Sequence, residues 1–131
     1  MPTKKSLLLA DDEDSVLITL SMIFEREGYD VTTAKSGASA MKLLNERGFE
    51  AVITDLNMEK EDIGLEVAQA ALRKTPKPTV IVCTGYASVR NSQAALNMGV
   101  DYMAHKPVEL KNLISVLDRL LSLRDQRSWV S

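Results

Sequence analysis

Ala51-Val52-Ile53-Thr54-Asp55 is a short apolar run that ends on a carboxylate. It is too short for a helix, and its continuous hydrophobicity suits a strand buried on both faces. Three other stretches share the form. Leu7-Leu8-Leu9-Ala10 runs into Asp11-Asp12, Val80-Ile81-Val82-Cys83 runs into Thr84, and a strand-like stretch over Asp101–Ala104 leads through His105 to Lys106-Pro107. As parallel strands of one sheet, these runs would bring three carboxylates, a hydroxyl and an ammonium to the same edge.

The segments between them read mostly as helices. Val16, Leu20, Ile23 and Phe24 recur at helical spacing, with Asp14 or Ser15 as the cap and Gly28 as the stop. Tyr29–Ala34 alternates and is β-branched, which suits a strand nearer an edge. Ser36-Gly37 opens a helix with Ala40, Leu43 and Leu44 that stops at Gly48. Lys60–Gly64 reads as a charged loop, and Leu65, Ala68 and Leu72 mark a third helix, closed by Thr75-Pro76-Lys77-Pro78. Thr79–Cys83 forms the fourth strand, Ser88–Met98 an alanine-rich helix ended by Gly99, and Glu109–Arg124 a long final helix. Strands and helices in alternation predict an α/β fold, a doubly wound parallel sheet of five strands with helices on both faces. Such sheets bind ligands beyond the carboxyl ends of their strands. Residues 4–124 are expected to form one domain, and 125–131 a C-terminal tail or the start of a linker.

The composition narrows the function classes. The chain has 131 residues, 45% hydrophobic and 26% charged, with a formal net charge of −2, as expected of one soluble globular domain. That balance gives no global attraction to nucleic acid or to an anionic membrane. One cysteine excludes an internal disulfide and fits a reducing compartment. The early leucine run is too short for a signal peptide and ends in acids, and no stretch approaches membrane-spanning length. A cytoplasmic location is therefore expected. Cys83 reads as a small core residue, and His105, the only histidine, cannot form a catalytic pair of histidines. Trp129 packs back on the last helix, joins a dimer or opens a linker.

The polar strand ends suggest a specific chemistry. Adjacent carboxylates repel, and a hard divalent cation with oxygen ligands is the natural neutraliser. Taken alone, Asp11-Asp12-Glu13-Asp14 also suits a solvated loop with a helix cap, and Asp55 a turn. Facing an acidic pair across a cation, Asp55 becomes a candidate nucleophile for a phosphoryl group. Lys106 would contact one phosphoryl oxygen and the Thr84 hydroxyl another. Pro107 restricts the backbone of Lys106 and suits a cis bond.

The set Asp11-Asp12, Asp55, Thr84-Gly85 and Lys106-Pro107, at these spacings, resembles the receiver domain of bacterial two-component response regulators, over residues 4–124. The resemblance implies a flavodoxin-like sheet of order 2-1-3-4-5. It also implies Mg²⁺-dependent transfer, with Mn²⁺ as a substitute, from a histidine kinase or phosphotransfer protein to Asp55. Asp12, Asp55 and the backbone carbonyl of Asn57 would bind the metal directly and Asp11 through water. Thr84 and Lys106 would read the phosphoryl group and draw in the Gly85–Ser88 loop. A domain of this kind catalyses only its own phosphorylation and dephosphorylation.

Three departures from the family pattern stand out. The loop Glu59-Lys60-Glu61-Asp62-Ile63-Gly64 after Met58 has no proline and one extra residue, so it either alters kinase recognition or is a neutral variant. Met103 rather than Tyr102 occupies the place of the family's switch aromatic, so either Met103 turns, or the strand is shifted and Tyr102 serves, or the switch is muted. Apolar positions from Leu110 to Leu123 cover half of the final helix. They form a homodimer surface with the fourth helix and fifth strand, or they are scattered surface groups. The main alternative is a Mg²⁺-dependent phosphohydrolase with Asp55 as a transient nucleophile, but that chemistry wants an acid where Asn57 stands. A flavodoxin-like cofactor carrier lacks a phosphate loop here, and a pseudo-receiver would not need the intact acid set.

Overall fold

The computed structural model describes residues 4–85 and 89–130, with the backbone alone at 89, 90 and 126–130. Five strands, β1 (Lys5–Ala10), β2 (Tyr29–Ala34), β3 (Ala51–Asp55), β4 (Thr79–Thr84) and β5 (Tyr102–His105), form one sheet. All pairings are parallel and the order is β2-β1-β3-β4-β5. The three interior strands are the continuous apolar runs, because both their faces are covered. Leu7, Leu8, Val52, Val80, Ile81 and Val82 are fully buried. The edge strand β2 is instead only partly covered, with Tyr29 and Ala34 buried at its ends and Asp30 and Thr33 exposed.

Helices α2 (Gly37–Glu46), α3 (Ile63–Leu72) and α4 (Val89–Met98) cover one face, and α1 (Asp14–Arg26) and α5 (Leu110–Val130) the other. Each face has its own core. Leu8, Val52, Val80 and Val82 meet Leu44, Val67, Ala68 and Ala95. Leu7, Leu9, Ile53 and Ile81 meet Leu17, Phe24, Leu113 and Leu117. Gly28 and Gly99 sit at positive φ, 95° and 99°, where an L side chain would be strained.

Several element ends differ from the sequence expectation, each for a physical reason. Glu13, not Asp14 or Ser15, occupies the cap position of α1, with no side-chain cap bond. The Glu13 N–H is instead taken by Asp11 Oδ1 at 2.9 Å, and Asp14 turns outward to pair with Lys35. Ser36 caps α2 as expected and exchanges hydrogen bonds with Ser39 in a capping box. α3 already begins at Ile63, inside the expected loop, because Ile63 and Gly64 are buried. β5 starts one residue late, since the Asp101 carboxylate turns aside to accept the Val80 N–H at 2.8 Å. α5 continues past Arg124 to Val130, with no glycine or proline in 125–130 to stop it. Arg124 anchors that end, donating to the carbonyl of Glu50 and the hydroxyl of Thr79 at 3.3 Å each and to the carbonyl of Lys77. Ser88, expected to open α4, and the side chain of Trp129 lie outside the described residues. Among the described residues, no helix is long and apolar enough to cross a membrane.

Candidate functional site

Strand register builds the site. Ala10 pairs with Thr54, so Asp11 and Asp55 follow each other across neighbouring interior strands. Asp55 pairs with Cys83, and Thr84 with His105, which places Lys106 one step beyond the last pair. Alternation then turns Asp11, Asp55 and Lys106 to the α1/α5 face, while Thr84 follows Val80 and Val82 towards the α4 face. The Lys106 backbone N–H donates to the Thr84 carbonyl at 2.8 Å, and the Lys106-Pro107 bond is cis.

The structure brings four of the expected groups into one cluster. One carboxylate oxygen from each of Asp11, Asp12 and Asp55 lies within 4.8 Å of the others. Lys106 Nζ bridges two of them, at 3.0 Å from Asp55 Oδ2 and 3.4 Å from Asp11 Oδ2. Asp11 and Asp55 are 5% and 8% exposed, whereas Asp12 is open to solvent. Three carboxylates held this close against one ammonium offer the hard oxygen donors that a divalent cation prefers. Burial pushes the Asp55 carboxyl above its ordinary value, and the nearby Asp11 charge adds to this, although the Lys106 hydrogen bond and charge pull the other way. For Lys106, burial favours the neutral amine. The hydrogen bond to Asp55 and the charges of Asp55 and Asp11 outweigh it and hold the ammonium above its usual range.

Beside the cluster a cavity of about 410 Å³ opens between α1 and the start of α5, lined by Leu9, Val16, Ile53, Cys83, Val108 and Leu113 among others. Cys83 forms part of its floor. Desolvation pushes that thiol up to about 12, so it stays a neutral core group.

The remaining expected residues spread around this centre. Thr84 is fully buried at the end of β4. Met103 packs into the core shared by α2, α3 and α4, and Tyr102 into the one shared by α1 and α5. The two switch candidates thus stand on opposite faces of β5. Residues 86–88 of the expected mobile loop lie outside the described residues. Asn57 is exposed, and its Oδ1 accepts the Asp62 N–H at 2.7 Å.

Two residues of the charged loop matter in ways the sequence did not reveal. The Glu59 carboxylate accepts the Gly37 N–H at 2.7 Å and the Ala38 N–H at 3.0 Å, sealing the first turn of α2. Those backbone bonds hold its carboxyl below the ordinary range. Asp62 Oδ1 accepts from Asn91 Nδ2 at 3.1 Å. The pairs are separated by 22, 21 and 29 residues, and no local pattern marks contacts at such range.

A doubly wound sheet in this order, with an acidic pair, a strand-end aspartate and a lysine at its carboxyl edge, defines a domain of the flavodoxin-like class. Comparison with known proteins agrees. The response regulator receiver domain model matches residues 7–118. The response regulator receiver protein CpdR of Brucella abortus is 33% identical over 122 residues, covering 89% of this chain and 97% of that protein. A CheY-like receiver domain from Methanospirillum hungatei superposes with a TM-score of 0.89 at 28% identity, over 95% of this chain and 98% of that one. A response regulator from Burkholderia pseudomallei, solved with a phosphorylated aspartic acid, a calcium ion and citrate, gives 0.78 at 27% identity, over 95% and 73%. The chain belongs to the response regulator receiver domain family of two-component signalling, whose members are regulatory domains rather than metabolic enzymes. It spans 26% of the length of the longer transcriptional regulatory proteins that it also matches.

Proposed function

We propose that the protein is a phosphoacceptor switch in which Asp55 takes a phosphoryl group from a histidine kinase or phosphotransfer protein. The observation that carries this reading is the buried Asp55 carboxylate held against Lys106 Nζ at 3.0 Å within the acidic cluster. The phosphorylated aspartic acid and calcium ion of the Burkholderia relative support it. A carboxylate oxygen of Asp55 attacks phosphorus, the bond from phosphorus to the donor's imidazole nitrogen breaks, and an acyl phosphate forms as the imidazole leaves. Asp12, Asp55 and the Asn57 carbonyl would hold Mg²⁺, or Mn²⁺ in its place, with Asp11 acting through water. That cation, when bound, would neutralise charge on the phosphoryl oxygens.

The other roles belong to this chain's own groups. Lys106 exchanges its carboxylate partners for a phosphoryl oxygen, and the Thr84 hydroxyl donates to another. Phosphorylation replaces the single charge of the Asp55 carboxylate with a phosphoryl group of about −1.5 to −2 charge and three acceptor oxygens beside them, which favours a state with the loop after Thr84 drawn inward. Met103 packs on the α4 face with Thr84 and Tyr102 on the α5 face, which supports Met103 as the residue that answers that movement. The surface of α4, β5 and α5 then meets the partner. Incubation with acetyl phosphate and Mg²⁺, followed by intact mass, tests the assignment. An 80 Da adduct on wild type that Asp55→Asn lacks is expected, and wild type without an adduct would overturn the reading.

A further inference from the structure

We propose that Asp62 is a positioning residue whose carboxylate latches α4 to the loop after the phosphoacceptor strand and so sets how readily α4 leaves its resting place. What α4 responds to rests on the phosphoacceptor reading above, but the latch itself does not.

The loop between Leu56 and α3 is fixed on two sides. Glu59 ties it to the first turn of α2 through the Gly37 and Ala38 N–H groups. The Gly64 N–H ties it back to β3 by donating to the Leu56 carbonyl at 2.8 Å. Within the loop, the Asn57 side chain accepts the Asp62 N–H at 2.7 Å. Asp62 then reaches out on the third side, its Oδ1 accepting from Asn91 Nδ2 at 3.1 Å in the first turn of α4. A chain of bonded groups thus runs from Asn57, two residues after Asp55, to the helix that must move.

Two observations raise this bond above an ordinary surface contact. Asp62 sits at φ 61°, the one described non-glycine residue at positive φ, where glycine would be free of strain. A glycine would supply the turn but not the acceptor, so the side chain accounts for the residue type. Second, α4 is thinly held. Ala95 is its one fully buried side chain among those described, while Leu96 is 57% exposed. With so little apolar anchorage, a single half-buried hydrogen bond to a carboxylate changes the helix's equilibrium by roughly five-fold. Because the latch favours the resting state, removing it raises the competent fraction and the apparent affinity for a phosphoryl mimic by the same factor.

The test is hydrogen–deuterium exchange of the α4 amides in unmodified protein, with α1 and α5 as internal references. Asp62→Gly keeps the turn without strain and removes the acceptor, whereas Asp62→Asn keeps both an acceptor and a residue that tolerates positive φ. We expect α4 exchange about five-fold faster in Asp62→Gly and in Asn91→Ala, close to wild type in Asp62→Asn, and unchanged in α1 and α5. With Mg²⁺ and beryllofluoride, half-maximal change in α4 should come at about five-fold lower fluoride-complex concentration in Asp62→Gly. An α4 rate in Asp62→Gly within two-fold of wild type, or an Asp62→Asn rate as fast as Asp62→Gly, overturns the latch. Because this arm uses unmodified protein, its failure leaves the phosphoacceptor reading standing. Wild type that fails to respond to beryllofluoride overturns that reading instead, and the unmodified arm still decides the latch.

Discussion

Asp55 is costly where it stands. Its carboxyl is pushed above its unfolded value mainly by burial, so the folded state binds its proton more tightly than the unfolded state does. The stabilising contribution of protonated Asp55 is full below the unfolded value and is lost as pH rises through the folded one. Asn has nearly the same shape and never ionises. Asp55→Asn is therefore expected to raise the melting temperature by a few degrees at pH 7, on the order of 1 kcal/mol, with the gain shrinking as pH falls towards 4. Lys106 keeps Asp11 as a partner in that variant. Thermal melts without metal from pH 4 to 7 check this, and a lower melting temperature at pH 7 would contradict it. At this scale the sequence was most legible, because chemical type and position at a strand end carry the information. Asp11, Asp12, Asp55 and Lys106 could be read as a set, since each closes or follows a short strand run. Glu59 and Asp62 could not, since their partners Gly37, Ala38 and Asn91 are reached only through the packing of three separate elements.

Among the elements, the start of α3 presses closely on the end of β3. A Cβ on Gly64 would lie 2.1 Å from the Asp55 carbonyl oxygen and 2.6 Å from Leu56 Cα. Both are backbone atoms that cannot swing aside. Gly64→Ala is expected to cost about 1–3 kcal/mol in urea denaturation and to slow phosphorylation by acetyl phosphate, because relief must displace the phosphoacceptor strand end. Full stability in the variant would show that the junction yields. From the sequence Gly64 belongs to a charged loop, since hydropathy alone does not report how closely a helix presses on a strand. Helix caps were legible where the side chain does the capping, as at Ser36. They were not legible where it does not, as at α1, where the N–H of the cap residue Glu13 goes to the carboxylate of Asp11. The end of α5 is illegible for a related reason, because the tail looks linker-like although nothing in its composition forbids helix.

Across the whole molecule, the amino edge of the sheet is tied down by hydrogen bonds, and the carboxyl edge holds the acidic cluster with Lys106. Arg124 closes the amino edge over Glu50, Lys77 and Thr79, and Tyr29 donates to Asp118 at 2.5 Å nearby. Leu96 on α4 and Leu123 on α5, 57% and 42% exposed, are open apolar groups, as are Ile18 and Met22 on α1, 62% and 54% exposed. If a second copy covers α4 and α5, light scattering should give a monomer without beryllofluoride and a dimer with it, and Leu96→Glu should prevent the change. A monomer under both conditions would remove the homodimer. The strand order followed from the alternating pattern together with the family resemblance, but which apolar groups stay open on α4 and α5 depends on how the helices rotate against the sheet.

Three carboxylates against one lysine leave the site two negative charges in excess, and the formal net charge of the chain is −2. The rest of the chain is balanced, so in this count the molecule carries its whole surplus at one rim. One doubly charged ion would cancel that excess, and a phosphoryl group, which takes the place of the carboxylate's own charge, would bring back about one negative charge.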